Sequence, residues 1–186
     1  MRARRAFAMA AAPLAVAALT GCIDQLMEVR VPDDYKSYFV VAARRCPGVL
    51  TPQVLAAQAY VESHFNPDAV SPAGAQGMMQ IIPEVWKRYG ADADGSGRAS
   101  PFNPADSVAT AAKYDCFLAG ETRSLGSSAK LWLAAYNAGL GAVQKYGGIP
   151  PYPETENYCD QVMRRSEQFA RQFPEPSNSA LSTAPR

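Results

Sequence analysis

Apolar and polar residues along this 186-residue chain repeat mostly with helical period, and proline, glycine and capping residues cut the pattern into short segments. The first segment predicts a helix over 33–45, with Asp33 or Asp34 to cap it and Cys46-Pro47-Gly48 to break it. Thr51-Pro52 pairs a capping hydroxyl with a proline at the first helical position. The helix it starts reads PQVLAAQAYVE and stops around His64, ahead of Asn66-Pro67. The glycine- and proline-rich stretch 71–77 predicts tight turns with room for a short hairpin. Pro83 opens a further helix and Gly90 closes it; 92–101 is a polar loop. Asn103-Pro104 starts a helix that Gly120 is expected to end, and Ser127 or Ser128 caps the next, through Leu131, Leu133 and Tyr136. A bend region rich in glycine and proline follows. Thr155 is then expected to cap a last helix, whose apolar positions are Tyr158, Val162, Phe169 and Phe173. The expected fold is mostly α, with a small turn or hairpin region beside the helix that ends near Glu62, and no internal repeat.

Composition agrees with one globular domain: 48% of residues are hydrophobic and 19% charged. The first segment stands apart. Arg2, Arg4 and Arg5 precede an apolar run, 6–19, too short for a comfortable membrane span. The run ends at Leu19-Thr20-Gly21-Cys22, which resembles the lipobox of bacterial lipoproteins. That resemblance implies cleavage before Cys22 and lipid on its sulfur. The chain then divides into a signal peptide (1–21), a tether (22–32), a main domain (33–173) and a disordered tail (174–186) rich in Pro, Ser and Ala. The product would be exported and lipid-anchored. Removal of three arginines leaves 15 basic against 17 acidic residues, with no basic patch to argue for nucleic acid.

Export permits a disulfide among Cys46, Cys116 and Cys159. Their spacing fits no zinc pattern. Cys46 with Cys116 is the expected pair, because each ends or flanks a core helix. The 92–103 loop allows two readings. Asp92, Asp94, Ser96, Gly97 and Asn103 fall at positions one, three, five, six and twelve of a calcium-binding loop, but the twelfth should be a bidentate glutamate. Calcium is one reading and an acidic surface turn the other; no other cofactor is expected.

Glu62 lies at the C-terminal end of its helix, sharing a face with Leu55, Gln58 and Ala59. The negative end of the helix dipole and partial burial both raise a carboxyl's pKa, as a general acid near neutral pH requires. A glutamate ending a helix is usually solvated surface, so the weight rests on its neighbours. These are Glu62-Ser63-His64-Phe65-Asn66-Pro67 with Ser71, then Gly74-Ala75-Gln76-Gly77-Met78-Met79-Gln80, Ala135-Tyr136-Asn137-Ala138-Gly139 and Glu154-Thr155-Glu156-Asn157-Tyr158.

In this order the four blocks resemble the catalytic domain of soluble-type lytic transglycosylases, a lysozyme-like domain related to goose-type lysozyme. The resemblance covers roughly residues 51–162. It implies action on peptidoglycan glycan strands with Glu62 as single acid/base and no nucleophilic carboxylate; a monomer is expected. It further implies that Ser71 helps hold the muramyl unit near its acetamido group, that Gln80 bonds sugar or stem groups and Asn137 sugar or backbone, and that Met78 and Met79 line the cleft wall. Tyr136 would sit over the catalytic region, and Glu154 would approach from the far side with Tyr158 behind it. Met78 stands where leucine is common, a swap of similar volume. His64, the only histidine, is expected to be exposed. A water-using muramidase of the same fold, and a binding lipoprotein without turnover, remain the alternatives at this level.

Overall fold

The structure, a computed structural model, describes residues 29–173. The expected signal segment, Cys22 and the 174–186 tail lie outside the described residues. The helical body begins at Val31, earlier than the tether expected for 22–32 allows. Val31 is 2% exposed, and its amide donates to the Gln172 side chain at 2.8 Å, so burial and a hydrogen bond tie it to the end of the domain.

Among the described residues the elements are α1 (Asp33–Ala43), α2 (Pro52–Ser63), α3 (Pro83–Tyr89), α4 (Pro104–Thr122), α5 (Ala129–Ala138), α6 (Leu140–Tyr146) and α7 (Pro153–Phe169). Short 3-10 turns follow α4 and α7. None of these helices is long and apolar enough to cross a membrane.

Several ends follow their sequence signals. Thr51 accepts from the Val54 amide ahead of α2, Asn103 from Ala105 and Asp106 ahead of α4, and Ser128 from Lys130 ahead of α5. Others differ. Asp33 and Asp34 lie within the first turn of α1, where acids favour the helix dipole, while Pro32 holds the cap position. Pro153 at the first position starts α7 before Thr155, so Thr155 is inside the helix and does not cap it. Gly120 does not end α4, which continues to Thr122. The expected hairpin is only two isolated bridges, Val70 with Gln76 and Gln76 with Ile81.

α2 runs through the middle of the body, packed chiefly against α7 and α1, while α5 joins α4 to α7. Leu55, Ala56, Ala57 and Ala59 are fully buried, so α2 is apolar nearly all round, and its alanines let neighbouring helices approach closely. Phe39, Leu55 and Phe169 fill the space between helices; burying each such side chain contributes roughly 1.5–3 kcal/mol. α2 stops abruptly because His64 (φ 54°) and Phe65 (φ 64°) turn left-handed, and the Phe65 amide reaches back to the Ala59 carbonyl at 3.3 Å. Left-handed backbone costs a non-glycine residue about 1–2 kcal/mol. Phe65 offsets this by burying its ring among Phe39, Tyr60 and Phe169.

Cys46 and Cys116 are free thiols set against each other, and Cys159 is buried, its thiol donating to the Lys130 carbonyl at 3.5 Å. Burial, then the adjacent Cys46 thiol, pushes Cys116 up to about 12. The expected pair is therefore in contact but unbonded in this structure. Non-reducing peptide mapping of exported protein should recover a Cys46–Cys116 link, with loss of the bond costing about 2–4 kcal/mol of stability; three free thiols, or a Cys159 link, would refute that pairing. Gly77 supplies a second test. Its φ is +76°, and an added Cβ would lie 1.8 Å from the Pro101 carbonyl oxygen. Gly77→Ala should lower stability in urea titration by more than the ~1 kcal/mol of an incompatible φ alone, and an unchanged midpoint would contradict the packing described.

Candidate active site

Glu62 sits in the last turn of α2, just before the left-handed reversal. As a whole residue Glu62 is half-buried. Tyr158, from the second turn of α7, is 5% exposed and donates its hydroxyl to Glu62 Oε1 at 2.7 Å. Burial pushes the Glu62 carboxyl up to about 7, and the Tyr158 hydrogen bond opposes that rise. A group titrating there can give a proton and take one back near neutral pH. Tyr158 was expected behind Glu154; the α2–α7 packing places it on Glu62 itself, and burial first and the Glu62 charge second hold its phenol protonated.

The turn region is fastened to this helix by side-chain-to-backbone bonds. Ser63 donates its hydroxyl to the Met78 carbonyl at 2.8 Å. Tyr136, from α5, donates to the Met79 carbonyl at 2.8 Å. Gln80, in the left-handed region at φ 47°, donates its amide to the carbonyls of Ala69 (3.2 Å) and Gly77 (2.9 Å). Ser71 accepts from the Ala75 amide at 3.0 Å, closing its own turn.

These contacts revise several expected roles. Met78 and Met79 are 0% exposed, so their side chains are core and do not line a cleft wall; only their carbonyls serve the site. The Gln80 amide nitrogen is occupied by backbone. Ser71 is a turn residue first, with its hydroxyl hydrogen still able to be donated. Tyr136 lies near enough to Glu62 for that charge, after burial, to raise its phenol's pKa. Asn137 is exposed, and its side-chain oxygen accepts from the Thr155 hydroxyl at 2.8 Å, joining α5 to α7. Glu154 is exposed in the first turn of α7. His64 is exposed as expected.

Sequence reasoning missed Asp115. It is fully buried on α4, bonded to Gln58, and Glu62 acts on its charge. A signal was available: Val108, Ala111, Asp115, Leu118 and Thr122 form one buried stripe, in which an aspartate is out of place.

The 92–103 loop is held by its own groups. Asp92 accepts from the amides of Ser96 (3.1 Å) and Gly97 (2.8 Å), and the Asn103 amide donates to Asp94 at 2.7 Å. The Asn103 oxygen, at the twelfth position, is spent on capping α4. Buried Asp106, absent from the sequence reading, brings a carboxylate oxygen within 4.8 Å of those of Asp92 and Asp94. Its two oxygens accept from the Ala93 amide (2.6 Å) and the Ser100 amide (3.0 Å).

This fold and site have relatives. Membrane-bound lytic murein transglycosylase F of Maricaulis maris (strain MCS10) is 36% identical over 118 residues, 62% of this chain and 24% of that protein. Membrane-bound lytic murein transglycosylase C of Actinobacillus pleuropneumoniae serotype 5b (strain L20) is 37% identical over 95 residues, 46% of this chain and 26% of that protein. The chain thus spans about a quarter of the length of these relatives. The 70-kDa soluble lytic transglycosylase from Escherichia coli superposes with a TM-score of 0.64 at 24% identity, over 84% of this chain and 27% of that one. That likeness shows the fold: the mostly helical architecture expected from the sequence. The transglycosylase SLT domain family matches residues 40–159. A match running from within α1 to the second turn of α7 takes in the elements that surround Glu62, and the chain belongs to the transglycosylase SLT domain family.

Proposed function

We propose that this domain cleaves the bond between N-acetylmuramic acid and N-acetylglucosamine in peptidoglycan without water, leaving 1,6-anhydro-muramyl ends. The observation that carries the reading is one carboxyl, Glu62, raised to about 7 and gripped by the Tyr158 hydroxyl at 2.7 Å. The relatives' names, lytic murein transglycosylases, point to the same chemistry.

Protonated Glu62 donates to the glycosidic oxygen as the bond to C1 breaks. The acetamido carbonyl of the muramyl unit stabilises the positive charge at C1, so no second carboxylate is required of the protein. Glu62, now an anion, takes the proton from the C6 hydroxyl, whose oxygen closes on C1. Glu62 ends protonated, as it began. Tyr158 steadies the anion between the two steps, since a charge-assisted hydrogen bond is the stronger kind. In this reading Gln80 and Ser71 hold sugar at the turn edge, with Asn137 at the end of α5 and Glu154 at the start of α7. The scheme calls on no metal or organic cofactor. Calcium at Asp92, Asp94 and Ser96 would act on the stability of that loop, apart from the bond being broken.

Location follows from two supports: the lipobox-like Leu19-Thr20-Gly21-Cys22 and relatives that are named membrane-bound. We read the protein as exported, anchored through lipid on Cys22 and acting as a monomer on glycan strands.

Glu62→Gln keeps shape and hydrogen bonding but removes the transferable proton. It should fold normally, bind glycan, and lose at least the 10²–10⁴-fold that general acid catalysis typically contributes, about that range or more because the same group acts twice. Mass spectrometry of muropeptides released from sacculi by the native protein should find 1,6-anhydro ends, lighter by a water than reducing ends. Reducing ends would make the protein a muramidase, and a fully active Glu62→Gln would remove Glu62 from the chemistry.

Tyr158→Phe tests the hydrogen bond. The phenol stabilises the Glu62 anion and so lowers its pKa; removing it lets the pKa rise further. Activity that depends on protonated Glu62 falls as pH passes upward through that pKa, so the alkaline limb should move to higher pH in the variant. A limb that stays put or moves down would show that Tyr158 does not act on Glu62 this way.

A further inference from the structure

Gln58 lies one helical turn before Glu62 on α2 and therefore shares its face. Asp115 meets it from α4, and both residues are 0% exposed. Gln58 Nε2 donates to Asp115 Oδ1 at 3.3 Å. The remaining two atoms of the pair, Gln58 Oε1 and Asp115 Oδ2, are buried acceptors without a hydrogen-bond partner. A buried acceptor left unpaired costs about 1–3 kcal/mol. A proton on Asp115 Oδ2 would turn that oxygen into a donor, the one kind of group that Gln58 Oε1, on the side chain already bonded to Asp115, lacks.

The surroundings point the same way. The ionisable groups acting on or with Asp115 are Glu62 on α2, Tyr114 and Cys116 on α4, Tyr136 on α5 and Tyr158 on α7, none of them cationic. Arg45, just after α1, acts on Cys116. Neither ion pair among the described residues involves Asp115. An ionised Asp115 would be a buried anion next to a second acid, held by one long neutral hydrogen bond.

We propose that Asp115 is a positioning residue for Glu62: kept as a neutral acid, it locks Gln58 in a reciprocal acid–amide pair that forms a dry floor one turn beneath the catalytic carboxyl. The proposal rests on the reading of Glu62 as acid/base. Burial is the main cause that raises the Glu62 pKa. Whatever keeps water from beneath Glu62 therefore sets the pH at which it works.

The test compares Asp115→Asn and Asp115→Ala by pH–rate profile, with folding checked by circular dichroism. Asparagine is neutral and restores the pairing through its own amide, so the alkaline limb should stay in place and activity should stay near native. Alanine removes the partner and opens space for water below Glu62. The limb should then move to lower pH, by on the order of one unit, a fraction of what full burial can impose. A limb displaced downward in Asp115→Asn would show that the native residue carries charge; a folded Asp115→Ala with an unmoved limb would show that the pair is packing alone. Either result overturns the proposal. If Asp115→Ala does not fold, infrared difference spectra at pH 8 decide between Glu62→Gln and Glu62→Gln/Asp115→Asn. The carbonyl stretch of a protonated carboxylic acid should be present in the first and absent in the second; its absence from the first refutes a neutral Asp115. An active Glu62→Gln would bring down the reading of Glu62 itself, a failure distinct from either of these.

Discussion

A carboxyl that must hold its proton until substrate arrives cannot sit in water, and it cannot be cut off from substrate. The proposed role asks both of Glu62, and its place on α2 bears on each. Residues 54–59 of the helix are buried, so Glu62 follows directly on a buried stretch, and the reversal at His64 and Phe65 ends the helix just after it. Tyr158 supplies one hydrogen bond at 2.7 Å, enough to fix the carboxyl's orientation without cancelling the effect of burial.

The surrounding fold serves that arrangement. α7 must pack along α2 for the Tyr158 hydroxyl to arrive, and Tyr60, Phe65 and Phe169 form the aromatic contact between them. The turn region carries almost no regular strand, so its shape depends on side chains that bond its carbonyls: Ser63 to Met78, Tyr136 to Met79, and Gln80 to Ala69 and Gly77. α2 and α5 therefore fix the turns directly, and each bond of about 1 kcal/mol matters more there than inside a helix ladder. Gly77 lets the turn lie against the Pro101 carbonyl, where any side chain would collide.

How much could be read in advance depended on whether a residue's local signal and its tertiary contact agree. Thr51-Pro52 and Asn103-Pro104 act within a single turn, and both behave as read. Thr155 carries the same kind of signal, but Pro153 starts the helix first, and its hydroxyl turns to Asn137. The desolvated helix-end position of Glu62 was legible because helix end and apolar face coincide. Met78 and Met79 were misplaced because a motif fixes which residues stand near a cleft, not whether side chain or carbonyl faces it. Gln58 and Asp115 were the hardest to read. Periodicity treats polar residues as outward-facing, and these two meet across a buried contact between helices far apart in the chain.

The proposed reaction turns on the protonation of one carboxyl. Carbon-13 labelling of glutamate, with the Glu62 carboxyl assigned by its loss in Glu62→Gln, allows its titration to be followed by NMR in the folded protein. A midpoint at about 7 is the result the structure predicts. A midpoint near the ordinary 4.5 would mean that Glu62 is ionised at neutral pH and cannot be the acid that starts the reaction.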